Sequence, residues 1–310
     1  MINAKILVMP LVLALCIHSE TGMTQTIERP AREIARQFIQ AFYVERDKAR
    51  SIRDFVAPDL IEHNPEMPNG LKANVDFLSV RKLKEPGKYP PSGQWAHVLD
   101  HIIIDGDLFA VHHHVFMDPN DPGLDVMDFW RVANGRIVEH WDVIQSVPAQ
   151  PINGNTLWCG KGADYASAKQ WRNSIDMPSC GPVDKTAQGV DSLAVVKAYL
   201  SALGPGKVRA AFETYSTTDY RQHSPVIGNG ADETIAFLEQ ASARPRAKST
   251  VARILTEGDL VLIHRHSEAT DDKKAAVGTD LFRIKNGKIV EHWDMHQEVA
   301  PASVNGNTMW

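Results

Sequence analysis

Apolar residues recur at helical spacing early in the chain, where Ile34, Phe38, Ile39 and Phe42 share a face, and again through Ile52 and Phe55. An Asn-Pro turn, HNP at 63–65, comes next, and then a short helical stretch carries Val75, Phe77 and Leu78. Beyond it the period changes. Strand-like runs broken by Asp-Gly and Asn-Gly dipeptides predict a meander, closed by a hairpin around NGR. The second half repeats the order: Val195, Val196, Tyr199 and Leu200, then Phe212, an HSP turn at 223–225, Ile235, Phe237 and Leu238, and a hairpin around NGK.

The repetition extends to the letters. IVEHWD stands at 137–142 and at 289–294, and the surrounding strands match at one offset of 152 residues. Upstream, EHNPEMPNG and QHSPVIGNG match at an offset of 160, so the first copy holds eight extra residues within KLKEPGKYPPSGQW. A surface loop absorbs such an insertion at small cost. The chain reads as a tandem duplication, with copies over 27–158 and 187–310 and a polar linker over 159–186. Helices first and an antiparallel meander last predict an α+β fold in which helices cover one face of a curved sheet and leave a cone-shaped pocket. The sheet's other face needs a cover, and the second copy is the expected one, giving a pseudo-dimer within one chain.

A length of 310 residues suits two domains, and 43% hydrophobic with 23% charged residues suits a globular core. Net charge is −5 without a basic block, which argues against a nucleic-acid partner. Lys5 precedes an apolar run from Ile6 to Ile17 that is too short for a bilayer span and fits a signal peptide ending near residue 24. The expectation is export to the periplasm or medium, against a buried first helix that Pro10 disfavours. No other stretch is apolar enough to span a membrane. Cys16 leaves with the signal; Cys159 and Cys180 are a disulfide in an exported protein or free thiols in a reducing compartment.

Candidate chemistry gathers on the strands, where alternate residues share a face. Val138, His140 and Asp142 fall on one side of IVEHWDV and Glu139 and Trp141 on the other, as do His292 and Asp294 against Trp293 in the second copy. A tryptophan suits a sheet-to-sheet contact and a His/Asp pair an enclosed polar cavity. The second copy keeps His264 and His266 opposite His112 and His114 but has Arg265 opposite His113, which suggests that the outer two histidines share a role. His63 and His223 sit on the turn, and Asp128 and Asp280 lead into the hairpins. Phe77, Phe116, Phe129 and Trp130 are candidates for keeping the cavity dry. The plainer reading of each is structural: a satisfied His–Asp hydrogen bond, a polar strand face, a turn that needs its asparagine. NGNT before Trp158 and Trp310 reads as a capped turn.

These motifs, the HNP turn and above all NGRIVEHWDVIQ, resemble the SnoaL-like branch of the NTF2-like superfamily over nearly all of both copies. The resemblance implies two cone-shaped domains, a small-molecule ligand, and, as in the family's polyketide cyclases, aldol chemistry with an acidic residue and no cofactor. By it, Asp142 and Asp294 are the bases, with His112, His114, His264 and His266 near the pocket. Ketosteroid isomerase shows the same division between an aspartate base and separate oxyanion donors. Here the donors would be His140, His114 or His63. Fewer aromatics in the second copy, with Phe282 opposite Trp130, favour the first as the active one. Two other readings stand: a ligand-binding or structural module of the cell envelope, possible further oligomers included, and a metal site from His63, His112, His114 and Asp142. Neither a cofactor nor a metal is implied by any recognised signature.

Overall fold

The computed structural model describes residues 31–76, 96–117, 119, 120, 122–155, 157, 159, 165–242 and 247–310. The signal-like segment, the inserted loop, Phe77, Leu78 and Trp158 lie outside the described residues.

In the first copy a helix (α1) runs over 31–39 and continues as a π-helical turn, Gln40–Val44. Helix α2, Lys48–Phe55, starts where the Asp47 side chain accepts from the Arg50 backbone N–H at 3.2 Å. Strand β1 (Val56–Glu62), helix α3 (71–76) and strands β2 (Ala96–Asp105), β3 (Leu108–Phe116), β4 (Leu124–Ala133) and β5 (Arg136–Ser146) complete it. A short helix, α4 (Tyr165–Gln170), lies in the linker. The second copy repeats the plan with α5 (Gly189–Ala202), α6 (Val208–Tyr215), β6 (Ser216–Gln222), α7 (Ala231–Ser242), β7 (Ser249–Glu257), β8 (Leu260–Ser267), β9 (Ala276–Lys285) and β10 (Lys288–Glu298).

Each copy has one five-stranded mixed sheet, ordered β1-β5-β4-β3-β2 and β6-β10-β9-β8-β7. Only the first strand of each lies parallel to its neighbour; the remaining pairs are antiparallel. The closing hairpins turn through Asn134-Gly135 and Asn286-Gly287, where both residues have positive φ, the conformation that the right-handed strand twist demands.

Two apolar layers arise from the strand alternation. On the concave side of the first sheet, Phe109, Val111, Trp130 and Ile137 pack against Phe38, Phe42 and Tyr43 of the first helix. Val261, Ile263 and Phe282 do the same against Val196 and Phe212 in the second copy. The opposite faces of the two sheets share a third core, in which Met127, Phe129, Trp141 and Val143 meet Leu262, Leu281, Trp293 and Met295. Reciprocal hydrogen bonds flank it: Glu257 accepts from the Ile104 N–H and Asp105 from the Thr256 N–H, at 2.7 and 2.8 Å. Gln297 and Gln145 likewise accept from the Ile144 and His296 N–H groups, both at 2.8 Å. Cys159 and Cys180 form a disulfide that closes the linker. Among the described residues no helix is long and apolar enough to cross a membrane.

Candidate active site

The parallel pairing of β1 with β5 sets Glu62 opposite His140, and the antiparallel pairing of β4 with β5 sets Asp128 opposite Asp142 and Trp130 opposite His140. All five side chains therefore face the concave side, beneath the first helix. The π-helical turn brings Tyr43 to the same place. An extra residue in a helical turn re-aims the side chains beyond it, and such turns are frequent at functional sites.

Here the side chains form one buried network. Trp130 Nε1–H donates to the Tyr43 hydroxyl at 2.9 Å, and Tyr43 donates to Asp128 Oδ2 at 2.5 Å. His113 Nε2–H donates to the same oxygen at 2.9 Å, and its Nδ1 lies 2.9 Å from His97 Nε2. His140 stacks on Trp130 with ring centroids 3.8 Å apart. Its Nδ1 reaches Glu62 Oε1 at 2.8 Å and its Nε2 reaches Asp128 Oδ1 at 3.4 Å. Two carboxylate partners require both ring nitrogens to carry protons, so His140 is an imidazolium. Burial opposes that charge, but Glu62 and Asp128 outweigh it and raise the histidine's pKa well above its usual value.

The two aspartates are treated oppositely. Burial opposes ionisation of Asp128 too, but His113 and His140 outweigh it and hold this carboxylate well below the ordinary range. Asp142 has one hydrogen bond, accepted from Asn64 Nδ2 at 2.6 Å, and among the described residues its Oδ1 has no partner. Burial, with the nearby charges of Asp128 and Glu62, lifts its pKa to about 7 against the pull of His140. The concave side of the first sheet, its chamber, thus holds one ionised carboxylate and one poised near neutrality.

The family model of the SnoaL-like domain matches residues 35–140 and 196–292, once per copy. The chain belongs to the SnoaL-like family. Among solved structures, TsrD from Streptomyces laurentii is similar at 16% identity, over 36% of this chain and 90% of its own, with a TM-score of 0.30. An NTF2-like protein of unknown function from Mesorhizobium loti matches at 14% identity, over 35% of this chain and 93% of its own, with a TM-score of 0.30. An LEH-like epoxide hydrolase of M. tuberculosis matches at 18% identity, over 35% and 84%, with a TM-score of 0.30. No curated relative matches the chain.

Of the residues expected at the site of a SnoaL-like domain, His140, Asp142, Asp128 and Trp130 meet in the first chamber. His112, His114 and Phe116 do not. Phe109 and Val111 pack under the first helix, so on β3 only the odd positions face the chamber, and the three lie on the outer face. Phe116 packs there on Val147, Leu157 and Ala168, and Phe129 stacks on His264. His63 also points outward. Its ring stacks on Trp141, with Nε2 2.9 Å from Glu139 and Nδ1 2.5 Å from the Thr308 carbonyl. His223 repeats this on Trp293 and Glu291, and His266 stacks on Trp310. Of the three histidines expected as oxyanion donors, two are outside the chamber and His140 has both nitrogens committed. The sequence pattern does not single out Glu62, Asn64, Tyr43, His97 or His113 for the site; the parallel pairing of β1, visible only in the fold, puts Glu62 and not His63 beside His140.

The second SnoaL-like chamber keeps Asp280, His292 and Asp294 but surrounds them differently. Arg265 replaces His113 and binds Asp280 through Nε at 2.7 Å, while His292 lies 3.2 Å from the same aspartate. Gln222 replaces Glu62 and Ser224 replaces Asn64. Burial disfavours the Asp294 charge, yet His296, 3.6 Å away, and His292 outweigh it and lower the pKa. Asp294 is ionised and quenched where Asp142 is poised.

Proposed function

We propose that the first copy is a cofactor-independent acid–base catalyst, an aldol-type cyclase or isomerase acting on a small carbonyl compound, with Asp142 as general base. One observation carries the reading: neighbouring buried carboxylates are driven to opposite protonation behaviour, and the poised one keeps an oxygen without a partner among the described residues. A general base is most effective with its pKa near the working pH.

In the proposed step Asp142 Oδ1 takes the proton from the carbon next to the carbonyl, and the C–H electron pair moves onto the carbonyl oxygen as an enolate. Tyr43 is the donor for that oxygen. Burial keeps it a neutral phenol with a pKa well above its usual value, Trp130 holds it, and Asp128 keeps its two histidines when the phenol turns away. The enolate then takes the proton back at another carbon, or attacks a second carbonyl whose alkoxide receives the proton from Asp142. Atoms and electrons balance in both outcomes without a further reagent.

Incubation with small ketones, diketones and hydroxyketones in heavy water tests the proposal, with deuterium uptake beside the carbonyl read by NMR. Asp142→Asn should lower the rate by about 10²–10⁴-fold. A bound ligand that never exchanges, with affinity dependent on Asp142, would favour the binding-module reading instead. A metal-centred reading has donors from Asp128, His140 and Asp142 within 4.8 Å of one another, but His140 has no nitrogen left to give. Export also remains our proposal. The Cys159–Cys180 disulfide supports an oxidising compartment, and identification of the mature N-terminus tests it.

A further inference from the structure

The outer face of the first sheet holds a second cluster that the proposed chemistry does not use. Strands β2 and β3 slip register between Leu99↔His113 and His101↔His112, leaving Asp100 as the extra residue of a bulge. A bulge re-aims side chains. This one sets both Asp100 and His101 beside His112. Asp125, the pairing partner of His114 on β4, completes the group. Asp100, His101, His112, His114 and Asp125 are all at most 1% exposed.

The donors converge. His112 Nε2 lies 3.0 and 3.1 Å from the two Asp125 oxygens, and His114 Nδ1 lies 3.9 Å from Asp125 Oδ1. One oxygen of Asp100, one nitrogen of His112 and one oxygen of Asp125 lie within 4.8 Å of one another. A tetrahedral ion with bonds of ~2.0 Å separates its ligands by ~3.3 Å, inside that spread. Three of these side chains have an outer partner that fixes their orientation, as metal ligands do. His112 Nδ1 meets His101 Nδ1 at 2.9 Å, His114 Nε2–H donates to the Pro122 carbonyl at 2.8 Å, and the Ser179 hydroxyl donates to Asp100 Oδ1. Asp100 Oδ2 is buried and has no partner among the described residues.

The duplication supplies an internal control. The second copy makes the same bulge, between Val251↔Arg265 and Arg253↔His264, so Ala252 stands where the first copy has Asp100. Val277 stands for Asp125 and Arg253 for His101, while His264 and His266 remain. The fold therefore forms without the two carboxylates. Two carboxyl groups buried on this outer face are costly as anions unless a cation compensates them.

We propose that Asp100, His112, His114 and Asp125 bind one divalent transition-metal ion of the zinc class. Two carboxylates and two neutral imidazoles match its charge, and nitrogen and oxygen donors match its chemistry. The ion replaces the proton between His112 and Asp125 and leaves His101 as the support of His112. It ties the β2 bulge and β4 to the linker through Ser179, next to the edge of Trp293, whose ring lies 4.5 Å from His101. Its role is structural and separate from the chamber.

The full chain is to be produced with zinc in the medium, desalted, and measured by native mass spectrometry and elemental analysis. About one ion per chain is expected. The double variant Asp100→Ala, Asp125→Val, which borrows the second copy's residues, should fold with less than a tenth of that content, and Asp142→Asn should retain it. Cobalt-loaded wild type should show paramagnetically shifted ring protons of His112 and His114, a readout that does not depend on any variant folding. A folded wild type without stoichiometric zinc, manganese or iron, metal that survives the double variant, or unshifted His112 and His114 signals would each overturn the proposal.

Discussion

Asp142 and Asp128 face each other across one strand pair, yet their surroundings separate them. Asp128 takes hydrogen bonds from Tyr43, His113 and His140, whereas Asp142 takes one from Asn64. The poised Asp142 carboxyl, the proposed base, has a cost in stability. Its folded pKa of about 7 lies above the unfolded value, so its contribution is full below the unfolded pKa and is lost as pH rises through about 7. The loss amounts to about 4 kcal/mol at most. Asp142→Asn keeps the Asn64 hydrogen bond without titrating. It should therefore unfold at higher denaturant than the parent at pH 8 and lose that advantage near pH 4, while its catalysis is low at both. At this scale the sequence made His140, Asp142, Asp128 and Trp130 legible, since one strand pair carries all four. It misled at His112 and His114. Their retention in both copies tracks the sheet-to-sheet layer, and the position that differs, His113 against Arg265, is the one that faces the chambers.

Among the elements, the first helix and the turn after β1 decide what reaches the chamber. The π-helical turn turns Tyr43 inward, and in the second copy the corresponding helix α5 ends as a regular helix at Ala202. The helix–meander order was readable from periodicity, but a π turn inserts no unusual residue and leaves no mark in the pattern. The NGNT segments were legible as turns; their partners were not, because those lie in the other copy. Asn305 Nδ2 donates to the Asn64 and Met67 carbonyls at 2.7 and 2.9 Å, and Asn307 Nδ2 to the Glu62 carbonyl at 2.8 Å. Asn153 and Asn155 return the arrangement to Ser224 and Gln222. Each copy's tail thus straps the turn that shapes the other copy's chamber. Asn305→Ala should cost about 1–2 kcal/mol and speed amide hydrogen exchange across 62–70 more than across 222–230. Equal acceleration of both segments would argue against a strap that acts on one turn.

For the whole molecule, duplication placed two sheets back to back and let the chambers diverge. The shared layer explains the doubled tryptophan: Trp141 and Trp293 belong to one core, over which Arg253 lies 3.7 Å from the Trp141 ring. The Cys159–Cys180 bridge, 21 residues apart in sequence, holds the linker against this assembly. Replacing both cysteines by serine should destabilise the protein by roughly 3 kcal/mol in denaturant titrations, by loop-closure entropy. The division of labour between chambers is the central claim, and pH-dependent deuterium exchange into a small ketone tests it most directly. The wild type should show an exchange rate that rises with pH through about 7, as Asp142 loses its proton. Asp142→Asn should abolish that rise, and Asp294→Asn should leave it intact. Exchange that survives Asp142→Asn, or is lost only with Asp294→Asn, would contradict the account.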